Sequence, residues 1–588
     1  MSVMSFERLV QQEAVEHTVK RSVCVMNDVS TDVLVIGGGC AAARAALEAH
    51  ESGVDVTIVT KGSFGSSGTS GCKRIVTPGG FSVADGDVDA TDHPDIHFKD
   101  IVLAGSGMCD EKLARILVDE APVALRDLEQ RGVKFEKDSS GRYVEFQGCF
   151  ASRPRSHIVR PHALPILNAL VTDVNRRPIT VRQSTMIVDL VVENNTCYGA
   201  FGVNQNGEIE IFRANSVVLA TGGGVGVFLR SFSPSDITGD GYAMAYRAGA
   251  ELSNMEFIQA GIGVWSEELV VPAWFWLLKP DLYDSNKRRF IQRHIPAGTT
   301  AERVFEMKSN HWPFSSRDCS KYVEISVEKR RLARKKQERD RVYMDFREVS
   351  EAVLDQAVEY SAFKDMWAKD KAIFVSRGVD LEHTPVEIGT FAHAFNGGLV
   401  IDEQASTTVK GLYAAGEVAA GPHGADRLGG NMLVACQVFG ARAGKYAAVS
   451  ARQTQHMRTR KYMPDLAKER IDGLRTVQGR ISPSKFRLEL QRSMQENVLI
   501  LRSERSLARA LKDVCRIRDE AKHDVSIRTD DELVQAIELE NILDVAQLVV
   551  EAARRRKESR GSHYREDFPS RDDGEFSQAI KVRLRLPQ

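Results

Sequence analysis

The stretch that decides the fold is "DVLVIGGGCAAARAALEAHESGVDVTIVTKG", Asp32 to Gly62. An unbroken apolar run from Val33 to Ile36 is the pattern of a buried strand, and the alanine-rich segment Ala41 to Ser52 favours a helix. A second apolar run, Val54 to Val59, closes a strand-turn-helix-strand unit. Gly37, Gly39 and Ala42 fill the G-x-G-x-x-A turn between the first strand and the helix. There Gly37 permits the tight turn and Gly39 lets the backbone approach a pyrophosphate. The first helical turn aims free N–H groups at that phosphate. The unit therefore predicts a dinucleotide site in a Rossmann-type α/β domain.

The second strand ends in Thr60-Lys61 rather than in the acid that usually grips a ribose, and a cation suits a phosphate better. A carboxylate must come from elsewhere. In "GLYAAGEVA" Leu412 to Ala414 is a short strand and Glu417 follows its turn. Two more glycine clusters point the same way: "SVVLATGGGVG" places Ala220, Thr221 and Gly222 at a strand end, and "ITGDGYAMAYRAGAEL" sets Asp240 at a helix start. Several separated loops of this kind suit a long, bent cofactor, FAD rather than NAD.

Composition sets the frame. A chain of 588 residues, 43% hydrophobic, is long enough for two to four domains at about 150 residues each. It contains no continuous apolar run long enough for a membrane span, so no integral membrane segment is expected. Lysine plus arginine total 79 against 80 acids, which provides no global field for nucleic acid or a charged bilayer. Nine scattered cysteines include no C-x-x-C pair, so no zinc or iron–sulfur site is expected. Residues 1–30 lack the apolar core of a secretory signal and are expected to form a tail, in a cytoplasmic protein.

An anion must therefore be caught locally, and "GPHGADRLGGNM", Gly421 to Met432, offers the means: one arginine, Arg427, among glycines that let the backbone approach a large flat group.

The glycine turn ending in Thr60-Lys61, "TGDGYAMAYRAGAELSNMEF", "HAFNGGL", "GLYAAGE", "HGADRLGGN" and "KESRGSHYREDFP" occur in one order from about Asp32 to about Asp573. In this the chain resembles the succinate dehydrogenase and fumarate reductase flavoprotein family, which includes L-aspartate oxidase. The resemblance implies an FAD domain in two segments, 31–256 and 383–450, a capping domain at 257–382, and a helical C-terminal domain at 451–588. It implies hydride transfer between flavin and a carboxylate-bearing small molecule. Arg427 would be the carboxylate clamp and His393 a second substrate contact. Gly79 and Gly80, in the segment after the second strand, join the cofactor set. Asn431, Met432 and Leu433 would open a helix whose positive end faces the flavin.

Departures from the pattern are as informative. The family's substrate histidine falls on Gly261, and its Thr-Glu segment is replaced by "SEELVVPAWFWLLKPDLYD", where Trp274, Phe275 and Trp276 cluster near Trp265. These aromatics could line a pocket or simply pack the cap. The family's proton-donating arginine falls on Tyr322 in "SRDCSKY", with Lys321 and Arg317 as alternates. No histidine occurs in "GSFGSSGTSGCKRIVTPGGFS", so the covalent flavin link of the respiratory members is not expected and FAD should be bound noncovalently.

Downstream, Thr529 and Glu532 fit a capping box ahead of a helical apolar pattern. The run "EKRRLARKKQERDR", Glu328 to Arg341, mixes signs and is expected to be a solvated loop rather than a nucleic-acid patch. Three functions stay open: an FAD oxidoreductase acting on a carboxylate other than succinate, an aspartate oxidase or succinate dehydrogenase/fumarate reductase subunit, or a flavin electron-transfer subunit. Either an electron-transfer partner protein or a homo-oligomer is compatible with the tail motif.

Overall fold

The computed structural model describes residues 26–73, 75, 77–333, 341–349, 353, 361–454, 462–477 and 479–584. Of the expected tail, residues 1–25 lie outside the described residues.

The central sheet has seven strands. Met26–Ile36 pairs in parallel with Val56–Val59 on one side and with Ile209–Leu219 on the other, and Thr180–Arg182 extends the far edge. Ile209–Leu219 shares its second side between two partners. Its first half pairs antiparallel with Thr196–Asn204, which leads on to Thr185–Glu193, and its last residues pair in parallel with Leu412–Ala414. The first strand starts earlier than the apolar pattern predicted. Met26 to Ser30 are not an apolar run, and their exposure alternates because only one of their faces is covered, yet they pair with Ile209 to Arg213, so the tail does not extend to residue 30.

Two helices, Cys40–Glu51 and Asn431–Gln453, pack against each other over this sheet. Their contact is made by small residues: a Cβ on Gly440 would lie 3.0 Å from the Ala41 carbonyl oxygen, and one on Gly444 only 2.1 Å from that of Ala45. This approach brings the N-termini of both helices to the strand ends that carry the glycine turns.

The cap carries its own five-stranded sheet, in the order Leu269–Val270, Ile258–Val264, Val386–Phe395, Val342–Asp345, Asp281–Asp284. Phe275 and Trp276 are fully buried in the core behind it, against Phe305, Phe346 and Phe374. The aromatic cluster therefore packs the cap and does not line a pocket. Trp274 belongs to the same core, its indole N–H donating to Asp370 at 3.0 Å. Trp265 is instead flanked by the Arg331 and Arg230 guanidinium groups, 3.7 and 4.5 Å from its ring.

The charged run is not all loop: the helix Tyr322–Leu332 takes its first residues, Lys329 pairs with Glu566, and Arg331 donates to the Ile388 carbonyl at 2.9 Å. Residues 334–340 of the run lie outside the described residues. Helices Met463–Arg475, Pro483–Asn497, Glu504–Asp524 and Asp530–Arg555 form the C-terminal part. Thr529 caps the last of these by accepting from Glu532 N–H at 3.1 Å, but the Glu532 carboxylate reaches Arg528 N–H instead of closing the box on Thr529. The first part of the following tail is internal, while residues 566–575 are exposed. Arg556 pairs with the fully buried Glu256, and Ser562 donates to the Ala425 carbonyl, behind the loop that carries Arg427.

Candidate active site

Arg427 is buried, and its guanidinium is held on three sides. Nε donates to Gln259 Oε1 at 3.1 Å, Nη1 to the Leu428 carbonyl at 3.0 Å, and Nη2 lies 3.4 Å from His393 Nε2. Gln259 returns a bond from its amide to the Arg427 carbonyl. Because an arginine only donates, His393 Nε2 is the acceptor and its proton sits on Nδ1. Five N–H groups less these three leaves one on each terminal nitrogen, a fork shaped for a carboxylate. Among the described residues no acid lies within ion-pair distance of Arg427. Burial without a counter-ion lowers its pKa.

Histidines surround this charge. Burial first, and then Arg427, hold His393 at about 3, His423 at about 3 and His162 at about 4, so all three are neutral near pH 7. His162 also lowers the pKa of His393. His162 and Gln259 were not legible in the sequence, since neither lies in a glycine-rich motif. The Cys149 thiol completes this side; its pKa is raised by burial and it accepts from Trp312 N–H at 3.3 Å.

Gly261 has a structural explanation. A Cβ there would lie 2.6 Å from the Trp312 ring, so the missing side chain is the space the indole occupies. Trp312 packs edge-on to His393 at 5.2 Å and to Phe232 at 5.4 Å, and Phe232 stacks on Phe391 at 4.8 Å. The ring of His393 is therefore backed by an aromatic cluster.

Tyr322 does not join this cluster. It opens its helix half-buried among apolar residues, beside Lys321, and among the described residues no hydrogen bond links it to Arg427 or His393. Lys321 donates to the Ser316 carbonyl. Of the three proton-donor candidates only Arg317 approaches, pairing at 2.9 Å with Asp426, the neighbour of Arg427, and lying over the Phe150 ring at 4.4 Å.

The cofactor residues divide into two groups. Around the first turn, Gly37 has φ 135° and a Cβ would lie 2.1 Å from the Ala220 carbonyl oxygen; one on Gly38 would meet Thr60 Oγ1 at 2.6 Å. Gly37, Thr60, Ala220 and Thr221 thus crowd one point, with Gly39 capping the helix that contains the buried Ala42. Gly222 follows with φ 78°. Neither Gly39 nor Gly430 supplies a side chain to cap the helix it precedes, so both helix starts keep N–H groups for an anion. Thr221 Oγ1 and Asn431 Nδ2 are buried without partners, while Asn431 Oδ1 bonds His97. Met432 and the buried Leu433 continue that helix. Glu417 accepts from Phe395 N–H at 2.9 Å, and burial raises its pKa to about 7. These unsatisfied groups fit FAD.

Other residues of the expected set have different work. Lys61 Nζ lies within 2.9 Å of four acceptors, the Asp236 carbonyl, Thr238 Oγ1, Asp240 Oδ2 and Glu538 Oε1, more than its protons can serve. Asp240 also accepts from Asn541. An ammonium has three protons, so Lys61 has none left for a phosphate; it and Asp240 join the sheet to the C-terminal helices. Gly79 and Gly80 sit in the strand Gly79–Ser82, where a Cβ would strike His162 O or the Phe146 ring, so they serve packing behind the site.

A concavity of about 800 Å³ between the C-terminal helices offers no rival site. Arg247, Arg470 and Arg518 on its wall are all paired with acids.

Residues 32–433 match the family model described as FAD binding domain, and residues 487–585 match fumarate reductase flavoprotein C-term. The chain belongs to the succinate dehydrogenase, fumarate reductase and L-aspartate oxidase flavoprotein family. It is 36% identical to a fumarate reductase (CoM/CoB) subunit of Methanothermobacter marburgensis, over 92% of this chain and 94% of that one. It is 32% identical to L-aspartate oxidase of Streptomyces coelicolor, over 95% and 92%. Among solved structures, Mycobacterium smegmatis Sdh1 in complex with UQ1 superimposes with a TM-score of 0.79 at 27% identity, covering 95% of this chain and 94% of that one. The protein is an FAD-dependent oxidoreductase of this family. Among the described residues no helix is long and apolar enough to cross a membrane.

Proposed function

We propose that this flavoprotein moves a hydride between noncovalently held FAD and a carbon close to the carboxylate of a substrate that carries an apolar group in place of a second carboxylate. The observation that carries this reading is the buried guanidinium of Arg427, without an acid partner among the described residues, held against His393, whose ring packs on Trp312. When bound, FAD supplies the two-electron chemistry at its ring. The chain's residues supply orientation. Gln259 and the Leu428 carbonyl fix the plane of the guanidinium, so the two free N–H groups grip a carboxylate in one direction. Neutral His393 adds no competing charge, and its ring is backed by Trp312 and Phe232.

A second reading, reduction of fumarate, is favoured by the name of the 36% identical relative. Anaerobic mixing decides between them. On the first reading, 3-aryl- or 3-alkylpropanoates bleach the flavin, or the matching 2-enoates reoxidise it, faster than succinate, aspartate or fumarate. Preference for fumarate overturns that reading and supports the second. Relatives named as subunits favour a redox protein as electron partner. Acid precipitation tests the flavin linkage: yellow supernatant is expected, and a yellow pellet refutes noncovalent binding.

A further inference from the structure

Behind the loop of Arg427, a three-stranded antiparallel sheet sets Glu145 directly opposite His157. The next strand, Gly79–Ser82, ends two residues before the turn that brings in Asp85. One oxygen of each acid and Nε2 of His157 lie within 4.8 Å of one another. His157 has no exposed surface. Its Nδ1 is 3.3 Å from the Arg155 carbonyl, which can only accept, so the ring proton is on Nδ1 and Nε2 presents a lone pair. That lone pair has no hydrogen-bond partner. It is aimed between Glu145 Oε1 at 3.5 Å and Asp85 Oδ2 at 3.8 Å.

The surroundings add negative charge without balancing it here. Arg155 neutralises Asp92 and Asp100, at 2.9 and 2.6 Å. Among the described residues no lysine or arginine lies within ion-pair distance of Asp85 or Glu145. A buried lone pair that faces two acid groups and makes no hydrogen bond of its own is a position that a cation would stabilise.

We propose that Asp85, Glu145 and His157 bind a divalent transition-metal ion, Zn²⁺ or Mn²⁺, that fastens the loop after Ser82 to this sheet. Ligand atoms about 2.0–2.2 Å from such an ion stand roughly 3.4 Å apart in a tetrahedral shell, so the two measured edges need only a slight contraction. One imidazole and two carboxylates suit zinc or manganese better than magnesium or calcium, which prefer oxygen alone. The carbonyl on Nδ1 is the usual outer support of a ligating histidine. Tyr143, edge-on at 4.5 Å, closes the inner side, and the half-exposed Asp85 gives access from solvent. The ion would stiffen the ground beneath the substrate loop: Ser156, beside His157, bonds Ser82 at 2.7 Å, and Ser82 donates to the Gly429 carbonyl at 2.8 Å.

The test uses full-length, flavin-loaded protein dialysed against chelator, then titrated calorimetrically with ZnCl₂ and with MnCl₂. The expected result is one ion bound per chain, with a rise in the thermal midpoint. His157→Gln and Glu145→Gln should abolish both. Because those sites are buried, Asp85→Asn provides the folded control. With its flavin content and circular dichroism unchanged, it should weaken binding by about tenfold or more. Absence of stoichiometric binding by wild type overturns the proposal. So does equal affinity in wild type and Asp85→Asn, which would place the ion elsewhere.

Discussion

At the scale of single residues, the guanidinium of Arg427 and the rings around it govern both binding and acid tolerance. Arg427→Ala removes a two-bond grip on a carboxylate, and kcat/KM should fall by about 10²–10³-fold; steady-state kinetics checks this. Tyr322→Phe should leave the rate within about twofold, since only a contact in the transition state affects the rate. A large loss there would restore Tyr322 as the proton donor. The histidines set the response to acid. Their pKa values, at about 3 to 4 against an ordinary 6.5, lie below the unfolded value, so unfolding takes up protons between those limits. Their contribution is intact above pH 6.5 and is lost as pH falls toward 3. Glu417 runs the other way, its contribution being present below 4.5 and lost as pH rises to about 7. The buried histidines should make the protein less stable to denaturant at pH 5 than at pH 7, and His423→Asn should reduce the difference. Equal midpoints would show that the rings are not held neutral.

At the scale of elements, the glycine turn was legible because its spacing follows from backbone geometry. The strand, the helix and the crowding of Gly37 against Ala220 follow from local chain chemistry plus one parallel neighbour. Gly37→Ala places a methyl group 2.1 Å from a carbonyl in a backbone conformation that alanine avoids. The variant should purify without flavin, measured as the ratio of absorbance at 450 and 280 nm; full occupancy would refute the assigned turn. The cap was less legible. An aromatic run such as Trp274 to Trp276 looks the same whether it faces a ligand or a core, and only the arrival of Trp367 and Phe374 from distant sequence decides it. Likewise Trp312, 51 positions after Gly261 by number, reveals its purpose only when its ring lies against that glycine.

At the scale of the whole molecule, Lys61 illustrates how a cofactor-like signature can serve assembly. Its ammonium gathers Asp240 from the FAD domain and Glu538 from the C-terminal helices. Removing one partner of such a cluster leaves uncompensated charge, at a cost of about 3 kcal/mol. Lys61→Met should therefore lower the thermal midpoint while flavin affinity stays close to wild type. Loss of affinity with an unchanged midpoint would return Lys61 to the cofactor. Nothing in the sequence near Lys61 could show this, because its partners lie roughly 180 and 480 positions away.

Two neighbouring antiparallel strands, Ile258–Val264 and Val386–Phe395, carry the chain into and out of the cap, with Gln259 on one and His393 on the other. Both residues hold Arg427. Any swing of the lid about that ribbon must therefore twist the grip itself, so that closing over a substrate and aiming the arginine become one motion instead of two.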